Sequence, residues 1–156
     1  MKLRFLWIGK TRDLLFSNLE DKYLKRVEQF FTTDRTQVSE RKKSDPRARA
    51  AGSEQDADRI RKRLSPDTYL VALDPGGREL TSPQLASFLE ELAGRGVREV
   101  AFVVGGHSGI PETIRDSADM KFSLSKLTLP HRLARVILLE QIYRAATICR
   151  SLPYHK

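Results

Sequence analysis

Apolar and polar positions follow two different periods along the chain, and each change of period marks the boundary of a predicted element. Residues 2–8 (KLRFLWI) are rich in apolar and aromatic side chains and stop at Gly9, which predicts a strand. Asp13 can cap a helix in which apolar residues recur every three or four positions, namely at Phe16, Leu19, Tyr23, Val27 and Phe30. A second, short strand is predicted at residues 35–38.

The middle of the chain repeats this order of strand and helix. Residues 68–73 (TYLVAL) form an almost continuous apolar run that is typical of a parallel strand buried on both faces. The next four residues, 74–77 (DPGG), predict a turn that ends this strand. Ser82-Pro83 is predicted to begin a helix as N-cap and first helical residue, and Gly94 or Gly96 to end it. A further strand is predicted at residues 97–104.

The last third of the chain contains the most apolar predicted helix. A short helix opens at Pro111, a strand follows at residues 120–124, and a long helix is predicted over residues 132–149. Apolar side chains occupy most of the circumference of this long helix, more than the stripe that a surface helix needs. We therefore expect it to be buried, in a subunit interface as well as in the core.

Strands that alternate with helices predict the fold class. The pattern favours an α/β domain with a mostly parallel sheet flanked by helices. A length of 156 residues suits one domain with a substantial core, so we expect residues 1–156 to form that single domain.

A polar and basic stretch separates the second strand from the third. Nine basic residues stand against four acidic ones between positions 41 and 63. Asp45-Pro46 could begin a helix, but Gly52 interrupts the pattern before residues 53–56 (SEQD) offer a second cap. We expect a mobile loop over residues 39–51 and then a helix that ends near Leu64. The stretch could contact a polyanion, or it could be an ordinary solvated helix face.

Composition narrows the classes of function. The chain is 40% hydrophobic and 31% charged, which is typical of a globular domain in water, and no apolar run approaches the roughly 20 residues that span a bilayer. The first apolar run ends at Gly9 without a cleavage-site pattern, so we expect no signal peptide, no membrane partner and a cytoplasmic location. The formal net charge of +8 favours a polyanionic partner such as nucleic acid.

Cysteine and histidine content argues against a metal site. Cys149 is the single cysteine, so an internal disulfide and a thiolate metal cluster are both excluded, and we interpret it as a buried small hydrophobic residue. The three histidines, at positions 107, 131 and 155, lie far apart and lack the spacing of metal ligands. We therefore expect no metal.

Three predicted strands end in unusual sequences, which suggests one shared pocket. They are Asp74-Pro75-Gly76 after Leu73, Gly105-Gly106 after Val104, and the segment 124–126 (LSK). In open α/β sheets ligands bind beyond the carboxyl ends of the strands. The glycine pair could let the backbone approach a ligand, or it could form an ordinary tight turn. Its spacing matches neither the dinucleotide fingerprint nor the P-loop, which disfavours a nucleotide-binding protein of the doubly wound type.

Two C-terminal segments are candidates for function. Residues 122–131 (FSLSKLTLPH) alternate hydroxyl groups with leucines, and a loop this apolar needs a partner. The segment 152–156 (LPYHK) is either a frayed tail or a site where an aromatic ring, an imidazole and a cation meet RNA. Arg144, on the predicted buried helix, needs either Glu140 one turn earlier or an anionic ligand. Arg132 and Arg135 allow the same two interpretations.

Four segments together resemble the RlmH family, the ribosomal RNA large subunit methyltransferase H group of the SPOUT superfamily. They are residues 102–106 (FVVGG), 124–131 (LSKLTLPH), 139–145 (LEQIYRA) and 153–156 (PYHK). The resemblance runs along the whole chain and is weakest over residues 41–51. It implies a homodimer and a C-terminal trefoil knot that forms an S-adenosylmethionine site, although topology rules disfavour knots in general. It also implies methyl transfer to N3 of a pseudouridine in helix 69 of 23S rRNA, on the assembled 70S ribosome.

The resemblance also assigns residues to roles. By position, the cofactor contacts fall on Leu73, Gly105, Leu124, Ser125, Lys126, Leu127, Thr128 and Leu129. The implied catalytic group contains His155 as base or proton relay, and Tyr154 to stack on or orient the target base. Arg144 and Lys156 would stabilise negative charge on the carbonyl oxygens beside the reacting nitrogen.

The chain departs from the family pattern at two places. Residues 107–109 read HSG where the family is usually closer to proline-glutamate-glycine, and Lys156 stands where arginine is frequent. A lysine cannot make the bidentate contact of an arginine, which weakens the case for base-edge or phosphate contacts by that residue. The alternative function is a ribosome-binding or RNA-binding module of the same fold without catalysis.

Overall fold

The computed structural model describes residues 1–39 and 46–154, with side chains from residue 54 onwards in the second range. Strands and helices alternate throughout these residues. The elements are β1 (Lys2–Ile8), α1 (Leu14–Val27), β2 (Thr32–Val38), α2 (Pro46–Arg61), β3 (Tyr69–Glu79), α3 (Ser82–Gly94), β4 (Glu99–Val104), α4 (Glu112–Asp116), β5 (Met120–Ser123) and α5 (His131–Cys149). The described strands form one sheet in the order β2-β1-β4-β3-β5, and every pair is parallel. The predicted α/β fold class is therefore confirmed.

Each face of the sheet is covered by its own group of helices. Phe5, Trp7 and Phe102 point to the face covered by α1, α3 and α5. Leu6 and Ile8, which alternate with Phe5 and Trp7 in β1, point to the opposite face, which packs against α2 and α4. Successive side chains of a strand alternate between faces, so a strand buried on both sides must be apolar at nearly every position.

The helix starts follow local capping chemistry. Asp13 accepts a hydrogen bond from the Leu15 N–H at 2.9 Å and so caps α1, as predicted. The N-cap of α3 is Thr81 and not the predicted Ser82. Thr81 forms a capping box with Gln84, which satisfies two main-chain N–H groups at once, and this explains the one-residue correction.

Strand β3 does not end at its predicted turn. Leu73 and Arg78 both pair with Phe122 of β5, so the four residues between them bulge outwards and the strand then resumes. Gly77 permits this arrangement, because a Cβ atom there would lie 2.5 Å from the carbonyl carbon of Lys121. The DPGG sequence is therefore an irregularity within a strand and not its terminus.

Helix α2 begins earlier than predicted. It starts at Pro46 and continues through Gly52 to Arg61, so the loop expected over residues 39–51 was too long. A glycine inside a helix costs only about 1 kcal/mol, and the packing of Ala57 and Ile60 against the sheet offsets that cost. Arg61 contacts both Glu54 and Asp58 at 2.9 Å, which favours a solvated charged face for this part of the basic stretch.

Helix α5 lies in the core, as predicted. Leu138, Leu139 and Ile142 are fully buried, and the helix packs against α1 and α3. Its role in a subunit interface stays a prediction. None of the described helices combines the length and the apolar character needed to cross a membrane.

Candidate active site

A cleft opens at the carboxyl edge of the sheet, beside the bulge of β3 and the ends of β4 and β5. Including the open solvent at its mouth, the cleft encloses about 620 Å³. Residues after each of the three strands line it, together with His131 and Ala134 from the first turn of α5. The three unusual strand ends therefore meet in one pocket, as the sequence predicted.

Most of the predicted cofactor residues reach this cleft. Six of the eight line it, namely Leu73, Gly105, Leu124, Ser125, Leu127 and Leu129. The other two, Lys126 and Thr128, are exposed in the same loop. Leu127 is 75% exposed, so an apolar side chain stands at the mouth of the cleft without an apolar neighbour to cover it.

The hydroxyl groups of this loop hold its own backbone. Ser123 Oγ donates to the carbonyl oxygen of Ser125 at 3.0 Å, and Ser125 Oγ accepts from the Leu127 N–H at 2.9 Å. By contrast, the main-chain N–H groups of Lys126, Thr128 and Leu129 make no hydrogen bond with another described residue. These N–H groups can therefore donate to water or to a ligand.

The glycine pair forms a second wall through a tight turn. A Cβ atom on Gly105 would lie 2.7 Å from the carbonyl carbon of Gly109, so the loop packs closely on itself at this point. Gly109 has a φ of +81°, and its N–H donates to the Gly106 carbonyl at 3.2 Å. Of the two interpretations left open by the sequence, the tight turn explains why residue 105 is glycine.

Tyr154 and Arg144 gather around Glu140 near the end of α5. Arg144 Nη2 and Nε donate to Glu140 Oε1 at 2.6 and 3.0 Å, and the Tyr154 hydroxyl lies 3.3 Å from the same oxygen. The guanidinium carbon also lies 4.8 Å from the centre of the Tyr154 ring. The hydrogen bond with Glu140 raises the pKa of Arg144. Burial, and then Glu140, raise the pKa of Tyr154, so both groups are protonated at neutral pH.

Glu140 is the functional candidate that sequence reasoning undervalued. Its i, i+4 spacing identified it as a partner for Arg144, but not as an acceptor for Tyr154. Its second oxygen accepts from Gln141 Nε2 at 2.6 Å, and Gln141 in turn accepts from Ser82 Oγ at 2.6 Å. The carboxylate is therefore fixed from α3 as well as from α5. The other two tail candidates, His155 and Lys156, lie outside the described residues.

The cleft and the tail cluster are far apart within one chain. His131 lines the cleft at the start of α5, whereas Arg144 lies 13 residues later in the same helix. At 1.5 Å per residue, the two positions are roughly 20 Å apart along the helix axis. Tyr154 lies beside Arg144, so one chain does not bring these predicted residues together with its own cleft.

The two remaining arginines of α5 have partners within the protein. Arg135 is fully buried and donates to the Ile8 carbonyl at 2.6 Å. Arg132 is partly exposed and lies 4.0 Å from Asp13. Both contacts favour the structural interpretation over a bound anion in the cleft.

Thiol and metal chemistry have little support in the part of the chain that the structure describes. Cys149 is a free, half-buried cysteine, and burial raises the pKa of its thiol. The expectation of complete burial was therefore too strong. Within residues 1–39 and 46–154, no group of three histidine, cysteine, aspartate or glutamate residues is placed to hold a metal ion.

Comparison with known proteins gives consistent relatives. Residues 1–155 match the family model described as "Predicted SPOUT methyltransferase". The chain is 38% identical over 155 residues to a ribosomal RNA large subunit methyltransferase H from Geobacter metallireducens, covering 99% of both chains. It is 34% identical over 159 residues to the protein of that name from Streptococcus equi subsp. equi, covering 100% of both.

A solved structure shares the fold at low sequence identity. It is a probable methylase family protein from Haemophilus influenzae, with a TM-score of 0.55 and 12% identity. The similarity covers 96% of this chain and 66% of that one. At this identity the likeness concerns the fold alone.

Proposed function

The chain belongs to the ribosomal RNA large subunit methyltransferase H family of SPOUT methyltransferases, and we propose that it methylates ribosomal RNA with S-adenosylmethionine as the methyl donor. The proposed target is N3 of a pseudouridine in helix 69 of 23S rRNA, on the assembled 70S ribosome in the cytoplasm. The cleft at the carboxyl edge of the sheet carries this proposal, because its walls coincide with the family's cofactor motif.

The lining of the cleft fits S-adenosylmethionine. Leu129 lines the cleft and its main-chain N–H makes no hydrogen bond with another described residue, so it can donate to an acceptor of the adenine ring. Leucines at positions 73, 124 and 129 supply apolar contact for its faces. When bound, the group supplies a sulfonium methyl, which is a strong electrophile. The chain must then place the base nitrogen in line with that methyl group and remove its proton.

The tail residues are the proposed catalytic group. Arg144 pairs with Glu140 at 2.6 Å, the structural alternative that the sequence left open, and in the proposed role it would stabilise negative charge on the base while it keeps this pair. The raised pKa of Tyr154 keeps its hydroxyl protonated, so this residue orients the base and does not act as a proton acceptor at neutral pH. His155 is therefore the proposed base, and Lys156 a second cation beside the developing anion.

We propose that the working enzyme is a homodimer, because one chain does not bring Arg144 and Tyr154 to its own cleft. The separation of roughly 20 Å along α5 leaves a second copy as the source of the tail at each cleft. Leu14 and Leu15 at the start of α1 are 77% and 67% exposed, and such apolar side chains suit a protein interface. The trefoil knot and a single domain over residues 1–156 are part of the same proposal.

The proposed activity can be tested on ribosomes that lack the modification. Purified protein with labelled S-adenosylmethionine should label their 23S rRNA, and mass spectrometry of the nucleosides should show a methylated pseudouridine. If these ribosomes stay unlabelled while a family member of known activity labels them, the proposal fails. Calorimetry with S-adenosylhomocysteine addresses the alternative, since an RNA-binding module without catalysis should give no heat.

The role of His155 makes a separate prediction. His155→Ala should lower turnover by at least about a hundredfold, because general base catalysis contributes on this scale. Affinity for S-adenosylhomocysteine should stay within about twofold of that of the protein without substitutions, since the proposed cofactor contacts lie at residues 73, 105 and 124–129. Equal losses of turnover and cofactor affinity would contradict the role of a base.

A further inference from the structure

The loop between β1 and α1 runs along the edge of the cleft. It comprises residues Gly9–Asp13 (GKTRD) and is called the basic loop below. Trp7 of β1 pairs with Val104 of β4, so the basic loop leaves the sheet beside the Gly105 turn that lines the cleft. At its other end, Asp13 lies 4.0 Å from Arg132 in the first turn of α5. Both ends of the loop therefore adjoin walls of the cleft.

Buried polar contacts hold the basic loop in place. The fully buried Arg135 donates to the Ile8 carbonyl at 2.6 Å and to Thr11 Oγ1 at 2.8 Å. Thr11 donates in turn to Glu20 at 2.7 Å, and Glu20 is itself 1% exposed. At the start of the loop, the Gly9 N–H donates to the Val38 carbonyl at 2.8 Å. Burying a guanidinium is costly unless it is hydrogen-bonded, so this network determines the shape of the loop.

The same loop turns two cations outward. Thr11 points inwards to the network, whereas Lys10 and Arg12 on either side of it are exposed. Neither cation makes an ion pair with another described residue. Lys126, in the loop at the mouth of the cleft, is also exposed and likewise makes no ion pair with a described residue. Positive charge thus lies on two sides of the same opening.

Nearby carboxylates do not neutralise these cations. Asp13 caps α1 and lies near Arg132. Asp74, on the β3 side, accepts from the Gly76 N–H at 2.7 Å and lies 3.6 Å from Arg115. The edge around the cleft therefore has an excess of positive charge that is held in a defined place.

We propose that Lys10 and Arg12 bind backbone phosphates of the RNA substrate next to the cleft, and that Arg135 is the positioning residue that sets their place. This inference rests on the proposed function and adds the surface on which the substrate lies. Lysine and arginine on a fixed loop suit phosphates, because phosphate contacts set the register of a nucleic acid without reading its sequence.

A second copy of the chain fits the two cations less well than RNA does. With a net charge of +8, a second copy offers Lys10 and Arg12 few unpaired carboxylates. Several surface carboxylates are already engaged, including Asp21 with Arg35 at 2.6 Å and Asp58 with Arg61 at 2.9 Å. RNA, in contrast, offers a phosphate at every nucleotide.

The proposal is tested by measuring the affinity of the protein for 70S ribosomes that lack the methyl group, at several salt concentrations. The double variant Lys10→Ala/Arg12→Ala should bind at least about tenfold more weakly near 0.1 M salt, because two phosphate contacts and their released counterions are lost. The slope of log K against log salt should become shallower by roughly 1.4 to 1.8, since each phosphate contact contributes about 0.7 to 0.9. Affinity for S-adenosylhomocysteine should not change.

A matched control removes the same charge elsewhere. Lys22 and Lys25 are exposed on α1 and make no ion pair with a described residue, so Lys22→Ala/Lys25→Ala has the same net charge as the loop variant. This control should have the same slope of log K against log salt as the protein without substitutions.

Thr11→Val tests the positioning role of Arg135. It removes the hydroxyl between Arg135 and Glu20 but leaves both cations, so it should weaken ribosome binding while the affinity for S-adenosylhomocysteine is retained.

The phosphate-binding surface, the positioning role of Arg135 and the proposed function would each be refuted by a different result. The phosphate surface is refuted if the loop variant and the control have the same affinity and slope, or if the unmodified protein binds ribosomes without salt dependence. It is also refuted if the loop variant changes from dimer to monomer in sedimentation while its salt slope is unchanged. Unchanged binding by Thr11→Val refutes the positioning role. If the protein binds ribosomes as described but transfers no methyl group, the proposed function fails and the binding surface stands.

Discussion

Glu140 connects three groups through two carboxylate oxygens. One oxygen accepts from Arg144 and from the Tyr154 hydroxyl, and the other accepts from Gln141, which is held by Ser82 of α3. Charge-assisted hydrogen bonds are shorter and stronger than neutral ones, so this carboxylate fixes both the guanidinium and the phenol. We infer that Glu140 positions the tail for its proposed role without touching the substrate.

Replacing Glu140 by glutamine tests whether its carboxylate positions Arg144 and Tyr154. Glu140→Gln should lower turnover by about ten- to a hundredfold, the equivalent of one charged hydrogen bond, and leave cofactor affinity unchanged. Removing the negative charge should also lower the pKa of Tyr154, because Glu140 is one of the groups that raise it. A spectrophotometric titration of the tyrosines should show that change.

Glu91→Gln is the matched control for this prediction. Glu91 faces Arg95 at 3.6 Å in an exposed i, i+4 pair on α3, and exposed pairs contribute little. The control should therefore behave as the unmodified protein in both measurements. If Glu140→Gln had the same turnover and the same tyrosine titration as Glu91→Gln, the carboxylate of Glu140 would have no positioning role.

The Tyr154 contact could not be predicted from sequence, for a local physical reason. Leu152 N–H donates to the Thr147 carbonyl at 2.9 Å, and Ser151 N–H donates to the Ile148 carbonyl at 2.9 Å, a helix end that turns the chain back on itself. Such ends usually carry glycine at the residue with positive φ, but here Ser151 adopts a φ of 52°. Without that glycine, the tail could not be distinguished from a frayed end.

At the scale of single elements, β3 is the least regular strand and the one that shapes the cleft. Its bulge places Asp74 and Pro75 at the cleft, while its second part pairs again with β5. The sequence predicted the strand and recognised the unusual residues after it. It could not distinguish a turn from a bulge, because the pairing that continues β3 is with a strand some 40 residues later, and periodicity carries no information on such partners.

Gly77 gives a test of this arrangement. Gly77→Ala should lower the free energy of unfolding by about 2–3 kcal/mol, because its methyl group would overlap the backbone of Lys121. Gly94→Ala is the control, since a Cβ at Gly94 meets no atom within 4 Å and alanine is the better helix former there. Urea unfolding at equal protein concentrations measures both, and equal stability of the two variants would contradict the close packing of β3 on β5.

At the scale of the whole molecule, the layout of α5 separates the cleft from Arg144 and Tyr154, which supports the proposal that two chains share the chemistry. The cleft lies at the start of the helix and the Glu140 cluster near its end. The apolar pattern of the sequence correctly predicted a buried helix here. The predicted helix already separated the apolar loop from Arg144, and the resemblance implied that the tail reaches the site at a dimer interface. The structure adds that the cleft forms at the start of this helix.

Mixing two inactive variants tests that division. Gly105→Ala should disrupt the cleft wall, because its Cβ would lie 2.7 Å from Gly109, and His155→Ala should disable the tail. Random exchange of subunits makes about half of the dimers mixed, and each mixed dimer has one site in which an intact cleft meets an intact tail. The mixture should therefore recover about a quarter of the activity of the protein without substitutions. Two different affinity tags, one on each variant, would verify that mixed dimers form. If mixed dimers form but methylation does not recover, the two chains do not share a site.

The network that holds the basic loop also has a consequence for the order of folding. Arg135 contacts Thr11 across 124 residues of chain and Ile8 across 127. Contacts so distant in sequence form late, since the loop they close carries a large entropic cost. A chain emerging from a ribosome therefore has no ordered basic loop until α5 has been made and has packed. The proposed RNA-binding surface would therefore form only after nearly the whole chain has been made.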